Sequence, residues 1–137
     1  MIMTSMNFWP ILVSAVVAFG VSALWFSPIL FGNEWMRLAD ISEKDMSGKK
    51  GLWKLYIVQF IITLVIFMVM GFLISTTGSR TVSDGVFLAL LLWVGLSLTS
   101  AIGRMLWQKV PLKMLLIVEL CTLITWLVGG AIIGAWR

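Results

Sequence analysis

Four long apolar runs decide what this chain can fold into. They cover approximately residues 8–31, 52–74, 82–106 and 112–136. Each reaches the roughly 20 residues that a helix needs to cross a hydrocarbon core of about 30 Å. None shows the ten-residue alternation of a barrel strand, so the spans are expected to be helices, which satisfy their own backbone hydrogen bonds in lipid. The rest of the chain cannot supply a soluble surface. Of its 137 residues 61% are hydrophobic and only 12% charged, with a mean hydropathy of +1.06. The expected fold class is therefore all-α: a polytopic membrane protein with four transmembrane helices in an antiparallel bundle, one domain over residues 1–137. The first run lacks the basic flank, short apolar stretch and small-x-small cleavage site of a secretory signal, so it is expected to be retained.

Lysine and arginine set the expected orientation. Arg37, Lys44, Lys49, Lys50 and Lys54 follow the first run, and Arg104, Lys109 and Lys113 lie around the short link between the last two. Only Arg80 and Arg137 fall on the other side. The positive-inside rule then makes loops 32–51 and 107–111 cytoplasmic and puts both termini outside a membrane expected to be the bacterial cytoplasmic one. Trp9, Trp25, Trp35, Trp53, Trp107 and Trp136 fall near the ends of the runs, where aromatic belts form.

The segment after the first run is the longest one outside the membrane. Phe31, Trp35 and Leu38 recur at i, i+4, i+7, which predicts a short interfacial helix. Just before it stands "ALWFSPILFGNEWM", residues 23–36. Pro28 lacks an amide proton and disfavours helix at Ser27, so the first helix should end or kink there, with Ser27 free to satisfy a released carbonyl and Gly32 permitting a sharp turn. Trp25, Ser27, Pro28, Gly32 and Trp35 form this helix-exit motif.

With Phe26 and Phe31, those residues make the chain similar to a family of small bacterial membrane proteins, domain-of-unknown-function family 1761. Its members carry a Trp-aromatic-Ser-Pro box, then Phe-Gly and a tryptophan. The closing "PLKMLLIVEL" and "GAIIGAWR" are similar to family members as well. The resemblance implies the same fold and, the family's function being undefined, no activity.

One glutamate, Glu119, interrupts "LLIVELCTLITW". It lies about seven residues into the last helix, roughly 10 Å at 1.5 Å per residue. Gln59 in the second run, Ser97 and Ser100 in the third and Ser22 in the first should share that depth. Helical spacing groups Tyr56, Gln59 and Thr63 on one stripe, Trp93, Ser97, Ser100 and Arg104 on another, and Glu119, Thr122 and Trp126 on a third. A carboxylate near the bilayer centre costs about 2.5–3.5 kcal/mol on insertion scales, so Glu119 is expected to face inward and find partners, with Arg104 the charged candidate. Small residues also recur at four-residue spacing: Ser14, Ala18 and Ser22; Gly95, Thr99 and Gly103; Gly130 and Gly134. Such faces bring helices close, within one chain or between chains.

Chemistry is scarce in this sequence. It has no histidine, and its single cysteine, Cys121, has no evident activator. Paired carboxylates, phosphate loops and ligand clusters are missing from the pattern, so no catalytic residue, metal site or cofactor is expected. Nucleic acid is not an expected partner either, since the basic residues sit at the bilayer surface without interleaved aromatic readers. Two readings remain. One is a non-catalytic assembly or accessory bundle with a polar layer around Glu119, partnered by the lipid bilayer and by further copies or another membrane protein. The other is a small proton- or cation-coupled transporter or channel using Glu119, its ion or small-molecule substrate open.

Overall fold

The computed structural model describes residues 7–27, 29–38, 52–78 and 81–136. Among them are α1 (Phe8–Trp25), the short α2 (Gly32–Leu38), α3 (Leu52–Thr76), α4 (Val82–Gln108) and α5 (Leu112–Ala135). No strand occurs among the described residues. All but α2 are long and apolar enough to cross a membrane, so the chain is a multi-pass membrane protein of four antiparallel helices with a short helix after the first. Local signals start two of the spans. Asn7 accepts a bond from the Trp9 amide at 3.1 Å, and Thr81 accepts one from the Asp84 amide at 3.1 Å.

The last span, α5, is the hub against which α1, α3 and α4 all pack. Its contact with α4 is backbone on backbone. A Cβ at Gly130 would lie 2.9 Å from the Ala89 Cβ and 3.0 Å from the Gly85 carbonyl carbon. The Gly130 and Gly134 face thus joins helices within this chain, opposite Gly85 and Ala89. On the α1 side Ser14, Ala15 and Ala18 are buried, and the Ser14 hydroxyl reaches the Gly129 carbonyl at 3.5 Å. Gly129 also seats the Phe67 ring of α3. Ile11, Ala15, Phe67, Met70, Ile74 and Ile133 form the core, toward the end of the bundle where α3 turns into α4.

Toward its other end α3 leans away. Every side chain from 53 to 59 is exposed, and there the helix touches the bundle through Phe19 of α1, whose ring stands edge-on to Tyr56 and Phe60 at 6.2 and 5.9 Å.

The middle of α4 is not α-helical. Trp93–Leu98 forms a π-helical turn. Gly85, Ala89 and Ala101 are buried, and Trp93 and Ser97 between them bond to α5. That is a strict four-residue repeat. On a helix of 3.6 residues per turn each such step drifts by about 40°, some 160° over the four. The wider i→i+5 turn takes up part of that drift and keeps the face on α5.

Candidate functional site

The helix-exit motif fixes where α1 ends. The helix stops at Trp25, short of the run's apolar limit near Phe31, because the chain folds back on its own C-terminal carbonyls. The Phe31 amide bonds the Trp25 carbonyl at 2.9 Å, and the Leu30 and Gly32 amides bond the Ser27 carbonyl at 3.1 and 2.9 Å. The Ser27 hydroxyl satisfies the Leu24 carbonyl at 2.6 Å. Gly32 is needed here for a different reason from the conformational freedom expected of it. It is buried, its φ is not positive, and a Cβ would lie 2.7 Å from the Ser27 carbonyl carbon and oxygen. Trp35 packs edge-on to Phe26 at 5.5 Å, and Trp25 lies against Phe31 at 4.6 Å. Pro28 lies outside the described residues.

This reversal delivers α2 to the start of α5. Glu34 of α2 pairs with Lys113 of α5 at 2.9 Å and with Arg37 of its own helix. Hydrogen bonds from Arg37 and then from Lys113 hold the Glu34 carboxyl below its ordinary value, because both donors favour the ionised form.

One turn and a half further into α5 sits Glu119, 4% exposed. The Ser97 hydroxyl donates to its Oε2 at 2.9 Å, and an Arg104 guanidinium nitrogen stands 3.9 Å from its Oε1. Both partners come from α4, one on the π-helical turn and one a little past it. The Glu119 backbone is held as well. The Trp93 indole donates to its carbonyl at 3.0 Å, and the Trp25 indole donates to the Ile117 carbonyl at 2.9 Å. Carbonyls two residues apart sit about 200° apart around a helix, so two tryptophans grip α5 from opposite sides near the carboxylate. In the sequence Trp25 looks like a belt residue and Trp93 falls on the stripe with Ser97 and Arg104, and nothing in either position marks an indole as a donor to a backbone carbonyl of α5.

The expected layer is therefore brought together only in part. Glu119, Ser97 and Arg104 meet. Ser22 lies on the far side of α5, its hydroxyl 3.7 Å from the Cys121 sulfur. Thr122 bonds back to the Val118 carbonyl of its own helix at 3.0 Å. Gln59 and Tyr56 do not join, because α3 leans toward α1 at that level and leaves both exposed. Ser100 is exposed too. The π-helical turn shifts the register by a fraction of a turn, so that Ala101, four residues after Ser97, takes the inward place. Gly95 and Thr99 of the expected small face likewise point away from the bundle. An apolar groove lined by Phe8, Trp9, Ile11, Leu12, Leu64 and Met68 runs between α1 and α3 and takes in none of these polar groups.

Ser97 and Arg104 tie the Glu119 carboxylate of α5 to α4, which makes the group an interhelical clasp. Among the described residues, every buried side-chain nitrogen and oxygen has a hydrogen-bond partner. Neither the curated proteins nor the solved structures contain a match to the chain. A family model does match, over residues 9–134, nearly the whole length. The chain belongs to the DUF1761 family, described as proteins of unknown function.

Proposed function

We propose that this protein is a non-catalytic membrane bundle serving in assembly or as an accessory subunit, and that Glu119 locks α4 to α5 within it. One observation carries the reading. The buried carboxylate is engaged by groups of its own chain, Ser97 on one oxygen and Arg104 beside the other. A carboxylate that works as a structural tie needs those partners and nothing else. Its physiological partner is a further copy or another membrane protein. The cytoplasmic side is the one carrying Lys49, Lys50 and Lys109, since basic residues favour it eight to two. Single cysteines at Ser47 and Ser79 on a Cys121→Ser background test that orientation with an impermeant thiol reagent on intact cells. Position 79 labels and position 47 does not; the reverse pattern overturns it.

The clasp is tested by two substitutions and one flux measurement. Glu119→Gln keeps shape and hydrogen bonding and leaves stability nearly unchanged. Glu119→Leu strands Ser97 and Arg104 and costs on the order of 1–2 kcal/mol. Liposomes containing the protein hold a pH gradient as long as empty ones. If the wild-type protein collapses the gradient and Glu119→Gln abolishes that flux without loss of stability, the carboxylate is a proton or cation site and the transporter reading replaces this one.

A further inference from the structure

The half of α4 that ends at Gln108 turns polar groups away from the bundle. Ser100, Gly103, Arg104 and Trp107 recur at i, i+3, i+4, i+7 and share one helix face. Ser100 is exposed, and the Arg104 and Trp107 side chains are 61% and 89% exposed. Nothing lies within 4 Å of where a Cβ at Gly103 would sit, so that face carries an open notch. One turn deeper on the same face Leu96 is 61% exposed.

These polar groups are poorly served by the chain itself. The Thr99 hydroxyl bonds the Gly95 carbonyl at 2.8 Å, whereas the Ser100 hydroxyl makes no hydrogen bond among the described residues. Arg104 approaches Glu119 at 3.9 Å, beyond hydrogen-bond length, so that contact does not consume its N–H donors. Arg37 and Lys113 are occupied on Glu34, and Lys54 lies over the Trp53 ring; Lys109, past the end of α4, is exposed. Arg104 lies four residues from the end of its helix, roughly 6 Å along the axis. From there a long side chain reaches the depth of lipid phosphates.

We propose that this face binds the phosphate of an anionic phospholipid. The Arg104 guanidinium reaches toward the membrane surface and donates to phosphate oxygens, with the open position at Gly103 leaving room beside it. The Trp107 indole stands at headgroup level, and an acyl chain lies along Leu96. Charge complementarity selects the occupant. The guanidinium pairs with Glu119 only at 3.9 Å and is 61% exposed, so it keeps N–H donors for a second anion, and a zwitterionic headgroup would bring a further cation to it. A second copy docked through the same face would bring the two Arg104 side chains together. A free phosphate ion would leave Leu96 untouched, and only an amphiphile matches a face that is polar at one end and apolar at the other.

Native mass spectrometry of the purified protein tests this with phosphatidylglycerol, phosphatidylcholine of the same chains, and inorganic phosphate. Phosphatidylglycerol is retained in preference to the other two. Arg104→Gln lowers its affinity about five-fold, the factor for one basic residue near an anionic headgroup, and removes the preference. Because that variant also disturbs Glu119, Gly103→Leu provides an independent arm: its Cβ meets no atom of the chain, and it weakens phosphatidylglycerol binding at unchanged melting temperature. Gly20→Leu, at an equally open position on α1, leaves binding unaltered. Equal retention of the two lipids, inorganic phosphate bound as well as phosphatidylglycerol, or undiminished binding by Gly103→Leu would each overturn the proposal.

Discussion

Replacing Gly85 with alanine pits two effects of opposite sign against each other. Alanine is favoured over glycine inside a helix by about 1 kcal/mol, so propensity alone makes Gly85→Ala stabilising. The geometry of the crossing argues the other way. The new Cβ would stand 2.9 Å from the Gly130 carbonyl carbon and 3.2 Å from the Gly134 Cα, and closer still to the Gly130 oxygen. Carbon atoms in contact prefer separations of about 3.5 Å or more, so α4 and α5 must part by at least about 0.6 Å. A gap of that size forfeits a quarter or more of the attraction between every atom pair at the crossing. The obstructing atoms are backbone and have no rotamer to change, which puts the overpacking cost near the upper end of its range, about 3 kcal/mol. The net expectation is a loss of about 2 kcal/mol. Unfolding in mixed micelles by increasing mole fraction of dodecyl sulfate, followed by tryptophan fluorescence, measures it directly. Gly20→Ala is the control: nothing lies within 4 Å of its Cβ position, and it should match or exceed the wild type. A Gly85→Ala protein as stable as Gly20→Ala would refute the close crossing.

Two further outcomes follow from contacts at the other end of the bundle. Trp25→Phe keeps a ring against Phe31 and removes only the donor to the Ile117 carbonyl, so it should cost about 1 kcal/mol in the same micelle titration. If that variant is neutral while Trp25→Leu is costly, ring packing and not the hydrogen bond holds α1 to α5. Glu34 has a folded pKa below its ordinary value, so its tie to Lys113 contributes fully above the unfolded value and is lost as pH falls through the folded one. Carboxyl NMR should place its midpoint below 4.5, and Lys113→Gln should raise it; a midpoint at or above 4.5 in the wild type contradicts the tie.

The four spans are legible in the sequence because lipid imposes a length and an apolar composition that nothing else in the chain imitates. Glu119 and its α4 partners are legible for a related reason: a carboxylate in that run has few places to go, and Ser97 and Arg104 lie on one helical stripe near its depth. What stays hidden depends on the tilt and local winding of whole helices. Gln59 shares the depth of Glu119, but depth does not say that α3 leans toward Phe19. Ser100 fits the inward stripe of an ideal helix, and nothing in "WVGLSL" announces a π-helical turn. Gly32 is visible as a turn residue, yet its missing Cβ matters only because α1 closes back on Ser27.

Order of synthesis gives the central place of α5 a consequence in time. The hub is the last of the four spans to leave the ribosome. Until it enters the bilayer, the Trp25 and Trp93 indoles, the Ser97 hydroxyl and the bare backbone at Gly85 have no permanent counterpart, and the first three spans share little beyond the α1–α3 contact. Native assembly therefore waits on a helix that carries its own glutamate into the membrane. A nascent chain stalled before residue 112 holds those polar groups in the bilayer without the α5 partners that satisfy them.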